Sequence, residues 1–525
     1  MKSGRPRIAL WLLLGPSLQA QDVHYTLAIV DVPAQIAEVT ATFPTASTKE
    51  LEVFLPVWSP GFYRVENYHD QVLTFAARSD GGELAVSKPK DNRWRVATAG
   101  AAAVTLTYSL SCKRASVTHN QIAQAFAVFC GPATFVGEVG APARAHHVAI
   151  NLPEGWQHSA TALPLEPGGA VHHYKARDYD WLLDSPIVLG TVTTTAFDVF
   201  GARHEWAAFG SDSGWDTGLL VQNLQPITAE LCRTFGAVPF QRYVFLAGFR
   251  NSNGGLEHLD STLLSANSRQ RPDDARFLSF VAHEYAHAFN VKRLRPVELG
   301  PFDYENPPST PSLWIAEGLT TWFGELALAR SGVITAPTWL GLVSDHVRSL
   351  QHTAGRKLQT LADASLSVWK GSMSGTGGDP RKTISYYVKG PVVGFVLEAR
   401  LRAATEGRHG LDEVMRAAYA RYSGASGFTA EQFEAIAAEV AGAAQTAFFD
   451  QVLRSTAEID YQEALAWFGL RFAEVADGAP RQEHWRLEAL SEATALQKEH
   501  LQALLAPTPA PAAWGSASRG SSSDR

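Results

Sequence analysis

The sequence predicts a multidomain α+β protein. Three observations predict it: short alternating apolar runs broken by Gly, Pro, Asn and Asp from residue 23 to about 200; a strand and then a long helix around His283-Glu284-Tyr285-Ala286-His287; and amphipathic helical runs beyond Gly332. At 525 residues the chain is too long for one ordinary domain, and a 46% hydrophobic content with 14 tryptophans and 26 phenylalanines supplies material for large cores.

The first 20 residues have a positive start at Lys2, Arg5 and Arg7. An apolar stretch over 8–14, too short to span a bilayer, and a cleavage point in Ser17-Leu18-Gln19-Ala20 follow. They read as a signal peptide, with a retained anchor as the alternative, so the expected location is periplasmic or extracellular. No other segment approaches 18 consecutive apolar residues, and no stable membrane insertion is expected after signal cleavage. A formal charge of −7 and the lack of any Lys/Arg run exclude a general nucleic-acid or anionic-membrane binder. Small molecules or peptides are the expected partners. An export compartment permits a disulfide, and Cys112 with Cys130 is the expected pair because both lie in one predicted domain.

Residues 21–195 read as an all-β N-terminal domain, an antiparallel β-sandwich or β-saddle, with strands over 23–30, 51–55 and 104–108. Within it Trp58-Ser59-Pro60-Gly61-Phe62-Tyr63 is an aromatic cluster punctuated by Pro and Gly. Such a cluster is expected to be a packed corner and not a binding site. Asp178 to Pro186 connects to the second domain, where a strand is predicted over 242–247. Next comes Gly254-Gly255-Leu256-Glu257-His258. Two glycines before an acidic residue let backbone and carboxylate approach a ligand closely. An ordinary turn is the alternative, but the segment stands only 26 residues before the histidine pair.

The HExxH helix is amphipathic through Phe277, Phe280, Val281 and Ala288, with Asp273 or Asp274 placed to cap it. His283 and His287 lie one turn apart on one face. Two imidazoles so placed can grip one zinc ion, with Glu284 close enough to take a proton from a metal-bound water. From composition, a chance HExxH arises roughly 3 times in 100 chains of this kind, so a third ligand is needed to decide. Glu317, 30 residues after His287, is the candidate. Its helix is expected to start with Thr310 as cap and Pro311 as first residue, and to stop at Gly332. A carboxylate among Leu313, Trp314, Ile315 and Leu319 is costly to bury unless a cation meets it; the alternative is that Glu317 faces solvent or pairs with a nearby arginine. Helices follow over 337–351, 392–402, 411–422 and 429–440, and from 506 to 525 the composition predicts a disordered tail.

The stretch from His283 to Pro296, with Gly300-Pro301-Phe302-Asp303-Tyr304 and Leu313-Trp314-Ile315-Ala316-Glu317-Gly318, resembles the glycyl aminopeptidase family of zinc peptidases. These are gluzincins related in fold to thermolysin. The resemblance extends to the Trp58–Tyr63 cluster, Leu183-Asp184-Ser185-Pro186, the Gly254–His258 segment and Ser385-Tyr386-Tyr387-Val388-Lys389-Gly390, covering roughly 23–470. It implies one zinc per chain on His283, His287 and Glu317, and Glu284 as general base and later proton donor. It also implies that Glu257, beside Gly254 and Gly255, holds the substrate's free amine, and that Tyr387, or its neighbour Tyr386, donates to the oxyanion. The implied domains are thermolysin-like over 196–335 and helical, closing the active site, over 336–472. The family's usual PDZ domain is expected to be absent or reduced to a remnant over 473–505. The implied activity is removal of N-terminal Gly or Ala from peptides; a zinc endopeptidase on the same scaffold, or a catalytically silent peptide binder, is the alternative.

Overall fold

The computed structural model describes residues 22–510, apart from 211–214, 250–253, 267–269, 371–378 and 477. The expected signal peptide lies outside the described residues. Among the described residues no helix is long and apolar enough to cross a membrane.

The N-terminal part is built on a seven-stranded sheet. Its centre pairs Ile36–Pro44 with Ala103–Ser111, and strict alternation puts Val39, Ala41 and Phe43 opposite Tyr108, Leu106 and Val104 in one buried layer. One pair, Val23–Asp31 with His146–Asn151, is parallel in this otherwise antiparallel sheet. Two four-stranded sheets pack over it around Trp94, Phe129 and Phe135. The expected connector over 178–186 contains a short helix, Tyr179–Leu183, capped by Asp178. The expected Cys112–Cys130 disulfide is not formed. Both are buried thiols, Cys112 donating to the Leu110 carbonyl and Cys130 to the carbonyls of Val117 and His119.

The second sheet comprises β1 (Val192–Val199), β2 (Ala202–Gly210), β3 (Arg242–Phe249), β4 (Gly254–Glu257) and β5 (Ser261–Ala266), in the order β1-β2-β3-β5-β4. The strand Val192–Val199 runs across the domain boundary expected at 195. Helix α1 (Thr217–Phe235) and helix α2 (Ala275–Ala286), the HExxH helix, pack with this sheet in one core. Asp274 caps α2, its carboxylate accepting from the backbone N–H groups of Arg276 and Phe277.

The Glu317 helix does not start at Pro311. Thr310 donates instead to Glu298 and accepts from the Ser312 amide, and the chain enters a π-helical stretch, Trp314–Leu319, that runs into α3 (Thr320–Arg330). Gly332, with φ +76°, follows its end. Next come α4 (Ala336–Gln351) and α5 (Tyr386–Ala404), the latter starting six residues earlier than its apolar pattern suggests because Ser385 caps it. Trp322, Trp339 and Phe395 pack across α3, α4 and α5 in the same core as the second sheet, so the helices expected over 336–472 share that core.

The segment expected as a short remnant folds as a hairpin, Leu470–Phe472 with Leu487–Ala489, and a helix, Ala495–Leu505, which bury Leu487 and Leu504 in that core. Of the tail expected over 506–525, residues 506–510 are described and pack in part on the fold, and the rest lies outside the described residues. Thr508 is buried, its amide donating to Glu230 and its hydroxyl accepting from Arg330, which also pairs with Asp412.

Where the π-helical stretch crosses α5, Gly318 and Gly390 meet backbone to backbone. A methyl on Gly390 would fall 2.6 Å from the Gly318 Cα. This contact brings Tyr387 alongside the Glu317 segment. Neither neighbour is a flexible side chain, so overpacking outweighs the helix-propensity gain of alanine. Gly390→Ala is expected to lower stability by about 1–3 kcal/mol, read as a lower midpoint in urea unfolding.

Candidate active site

His283 projects from the last turn of α2 and His287 from the residue that caps its C-terminal end, and Glu317 reaches them from the π-helical stretch. The two Nε2 atoms are 2.9 Å apart and lie 3.5 and 3.2 Å from Glu317 Oε2. The neighbours fix the tautomers. His287 Nδ1 donates to the Asn290 carbonyl at 2.8 Å, and His283 Nδ1 meets Thr321 Oγ at 3.0 Å, whose own proton goes to the Glu317 carbonyl. Both Nε2 atoms therefore present lone pairs towards Glu317.

Two imidazole nitrogens and a carboxylate oxygen converging in this way make a cation site. Among the described residues His283, His287 and Glu317 form the one metal-competent cluster, all ligand atoms within 4.8 Å of one another. Charge balance points the same way, because Glu257, Glu284 and Glu317 are all buried around the two imidazoles. Against burial, which alone would lower it, these three carboxylates raise His287 above its usual range. The same imidazole holds Glu317 well below the ordinary carboxylate range despite burial. The donor set, two neutral imidazoles and a carboxylate, fits zinc.

Asn290 ties the elements together. Its side-chain N–H groups donate to the Ile315 carbonyl and to Thr320 Oγ, at 2.8 and 2.9 Å, while its own carbonyl accepts from His287. Ile315 lies in the π-helical stretch, so one residue links the end of the histidine helix to the glutamate's irregular turn.

The cluster opens into a cleft of about 210 Å³ lined by Gly61, Phe62, Ala115 to Val117, Gly254, Gly255, Glu257, Glu284 and Tyr387. Glu284 lies against Gly255, where a Cβ would come within 2.2 Å of its carboxylate oxygen. Burial, opposed by His287 and reinforced by Glu257 and Glu317, pushes Glu284 up to about 8. Glu257 is 3% exposed, and one of its oxygens has no hydrogen-bond partner. Burial raises it as well. Tyr387 lines the cleft, its ring 5.9 Å from that of His283, whereas Tyr386 is buried outside the lining.

The Gly-Gly-Leu-Glu segment is a strand and not a turn. Among the described residues β4 pairs on one side only, with β5, and its other edge is unpaired. Its end is pinned by Asp184, which accepts from the Leu259 amide, pairs with His258 and meets the buried Lys292 ammonium at 2.7 Å. Although burial alone would raise it, Lys292 and His258 hold Asp184 below its usual range.

The site also uses residues that pattern reading assigned to packing. Tyr63 donates to Glu317 Oε1 at 3.2 Å, and Gly61 sits against Glu257. The expected packed corner over 58–63 is therefore also part of the cleft. Asn290 and Thr321 carried no signal in the sequence, since each acts through a backbone or side chain distant in the chain.

Comparisons agree with this architecture. The Peptidase M61 N-terminal domain profile matches residues 24–191, and the M61 glycyl aminopeptidase profile matches 276–393, together more than half of the chain. An aminopeptidase N family protein from Idiomarina loihiensis superposes with a TM-score of 0.81 at 26% identity, over 85% of this chain and 78% of that one. An M1 zinc metallopeptidase from Deinococcus radiodurans, with a Tyr-Ser-Ala substrate bound, superposes with a TM-score of 0.55 at 12% identity over 84% and 95% of the two chains, a likeness of fold. No curated protein sequence matches the chain.

Proposed function

Since the chain belongs to the M61 glycyl aminopeptidase family and is a metallo-aminopeptidase, we propose that it is a zinc enzyme releasing small N-terminal residues, Gly or Ala, from peptides with a free amine. The observation that carries this reading is the Glu257 carboxylate, buried with one oxygen unpartnered, in the same cleft as the His283/His287/Glu317 cluster. A buried carboxylate without a partner is costly, and a substrate ammonium relieves the cost.

In this reading His283, His287 and Glu317 hold the zinc. When bound, zinc supplies Lewis acidity that activates water and polarises the scissile carbonyl. Glu257 pairs with the substrate's ammonium, and the open edge of β4 offers Gly254 and Gly255 backbone groups to the peptide that follows. Glu284 takes the proton of the attacking water and returns it to the leaving amine. The Tyr387 hydroxyl donates to the carbonyl oxygen as it gains charge. The family's description supports the small-residue preference. Export of the mature enzyme is part of the same proposal, resting on the sequence of residues 1–20.

The test is a panel of glycyl, alanyl, leucyl and N-acetylated alanyl peptides, assayed with zinc and after chelation. Expected are glycyl and alanyl cleavage well above leucyl, none of the acetylated peptide, and loss of all activity on chelation with return on adding zinc. Equal cleavage of acetylated peptides would move the reading to an endopeptidase. Failure to cleave any peptide with zinc bound would leave a peptide-binding relative.

A further inference from the structure

The corner Trp58–Tyr63 comes from the β-domain, yet it touches both ends of the proposed site. At one end Tyr63 is 3% exposed and donates to Glu317 Oε1, the oxygen turned away from the two histidines, while Oε2 faces them. At the other end Gly61, with φ +90°, lies so close to Glu257 that a Cβ would fall 2.3 Å from its Oε1. Only glycine permits both that backbone conformation and that approach.

The corner is held rigidly against the catalytic part. The Trp58 indole donates to the Asp303 carbonyl at 2.8 Å, and Val57 donates to that of Tyr304 at 2.9 Å. Trp369, anchored to the Pro308 carbonyl, packs edge-on against both Trp58 and Tyr63. Gly61 and Tyr63 stand two residues apart on this one braced turn.

We propose that this corner is a ruler: Tyr63 positions the metal ligand Glu317, Gly61 positions the amine anchor Glu257, and the distance so fixed admits one α-amino acid between the amine and the scissile carbonyl. The proposal rests on the aminopeptidase reading above. Tyr63 and Gly61 are positioning residues, acting through Glu317 and Glu257. The β-domain is thereby a working part of the active site, setting the removal of a single residue per cut.

The test measures metal affinity and substrate length separately, in the full chain. Tyr63→Phe removes one hydroxyl and is expected to weaken zinc binding by about 10- to 100-fold, read by competition with a fluorescent zinc chelator. Gly61→Ala displaces the Glu257 carboxylate and is expected to raise KM for alanyl p-nitroanilide by about 10- to 100-fold, at wild-type zinc affinity. The ruler itself is read with β-alanyl p-nitroanilide, whose amine lies about 1.5 Å farther from the carbonyl along the chain. The wild type is expected to prefer the α-amino substrate by about 100-fold or more, and Gly61→Ala to shrink that ratio towards one. Wild-type zinc affinity in Tyr63→Phe, or equal use of α- and β-alanyl substrates by the wild type, overturns the proposal. If no free-amine substrate is cleaved by any form while Tyr63→Phe still loses zinc, the aminopeptidase reading fails and the Tyr63 assignment stands. Loss of zinc by Gly61→Ala overturns the separation of the two roles.

Discussion

Glu284→Gln is expected to lower kcat for alanyl p-nitroanilide by about 10²- to 10⁴-fold while the protein still binds zinc. The substitution is nearly isosteric, so the contact with Gly255 is preserved, and the amide cannot accept a proton. The carboxylate takes no part in the His283/His287/Glu317 cluster, so metal affinity is the control that separates lost chemistry from a lost site. Retained turnover with zinc bound would remove Glu284 from the mechanism. Loss of zinc would show that the residue shapes the metal site instead.

The second large effect is expected from Tyr387→Phe. If its hydroxyl stabilises charge that develops only on the carbonyl oxygen, kcat falls by about 10²- to 10³-fold and KM stays close to that of the wild type. Tyr386→Phe is the comparison: Tyr386 is buried outside the cleft lining, and its loss of a hydroxyl is expected to leave kcat within a few-fold. A fall in kcat for Tyr386→Phe as large as for Tyr387→Phe would transfer the role, or show that both act only by holding α5 in place.

Much of this site could be read from the chain because its parts carry local signatures. A helix fixes the spacing of His283 and His287, and burial cost makes Glu317 conspicuous in an apolar run. Both signals survive without any knowledge of the fold. Residues that matter through distant contacts gave no such signal. Tyr63 is one aromatic among several in its corner until folding brings it 254 positions along the chain to Glu317. Asn290 looks like a polar residue near a helix end, and only the π-helical stretch, with its displaced Ile315 carbonyl, gives it a partner. Cys112 and Cys130 misled for the same reason, since sharing a domain does not bring two sulfurs within bonding distance. The segment over 506–510 looked disordered by composition because its packing depends on one threonine, Thr508, meeting Arg330 and Glu230.

The unpaired edge of β4 has a further consequence. An exposed strand edge invites pairing by any neighbouring sheet, a hazard that proteins usually blunt with charge, proline or cover. Here Gly254 and Gly255 of that edge line a cleft together with Phe62 and Ala115 to Val117, which cover it in part. On the proposed reading, main-chain pairing along this edge suits an extended peptide end, and the cleft that receives it also covers the edge against other sheets.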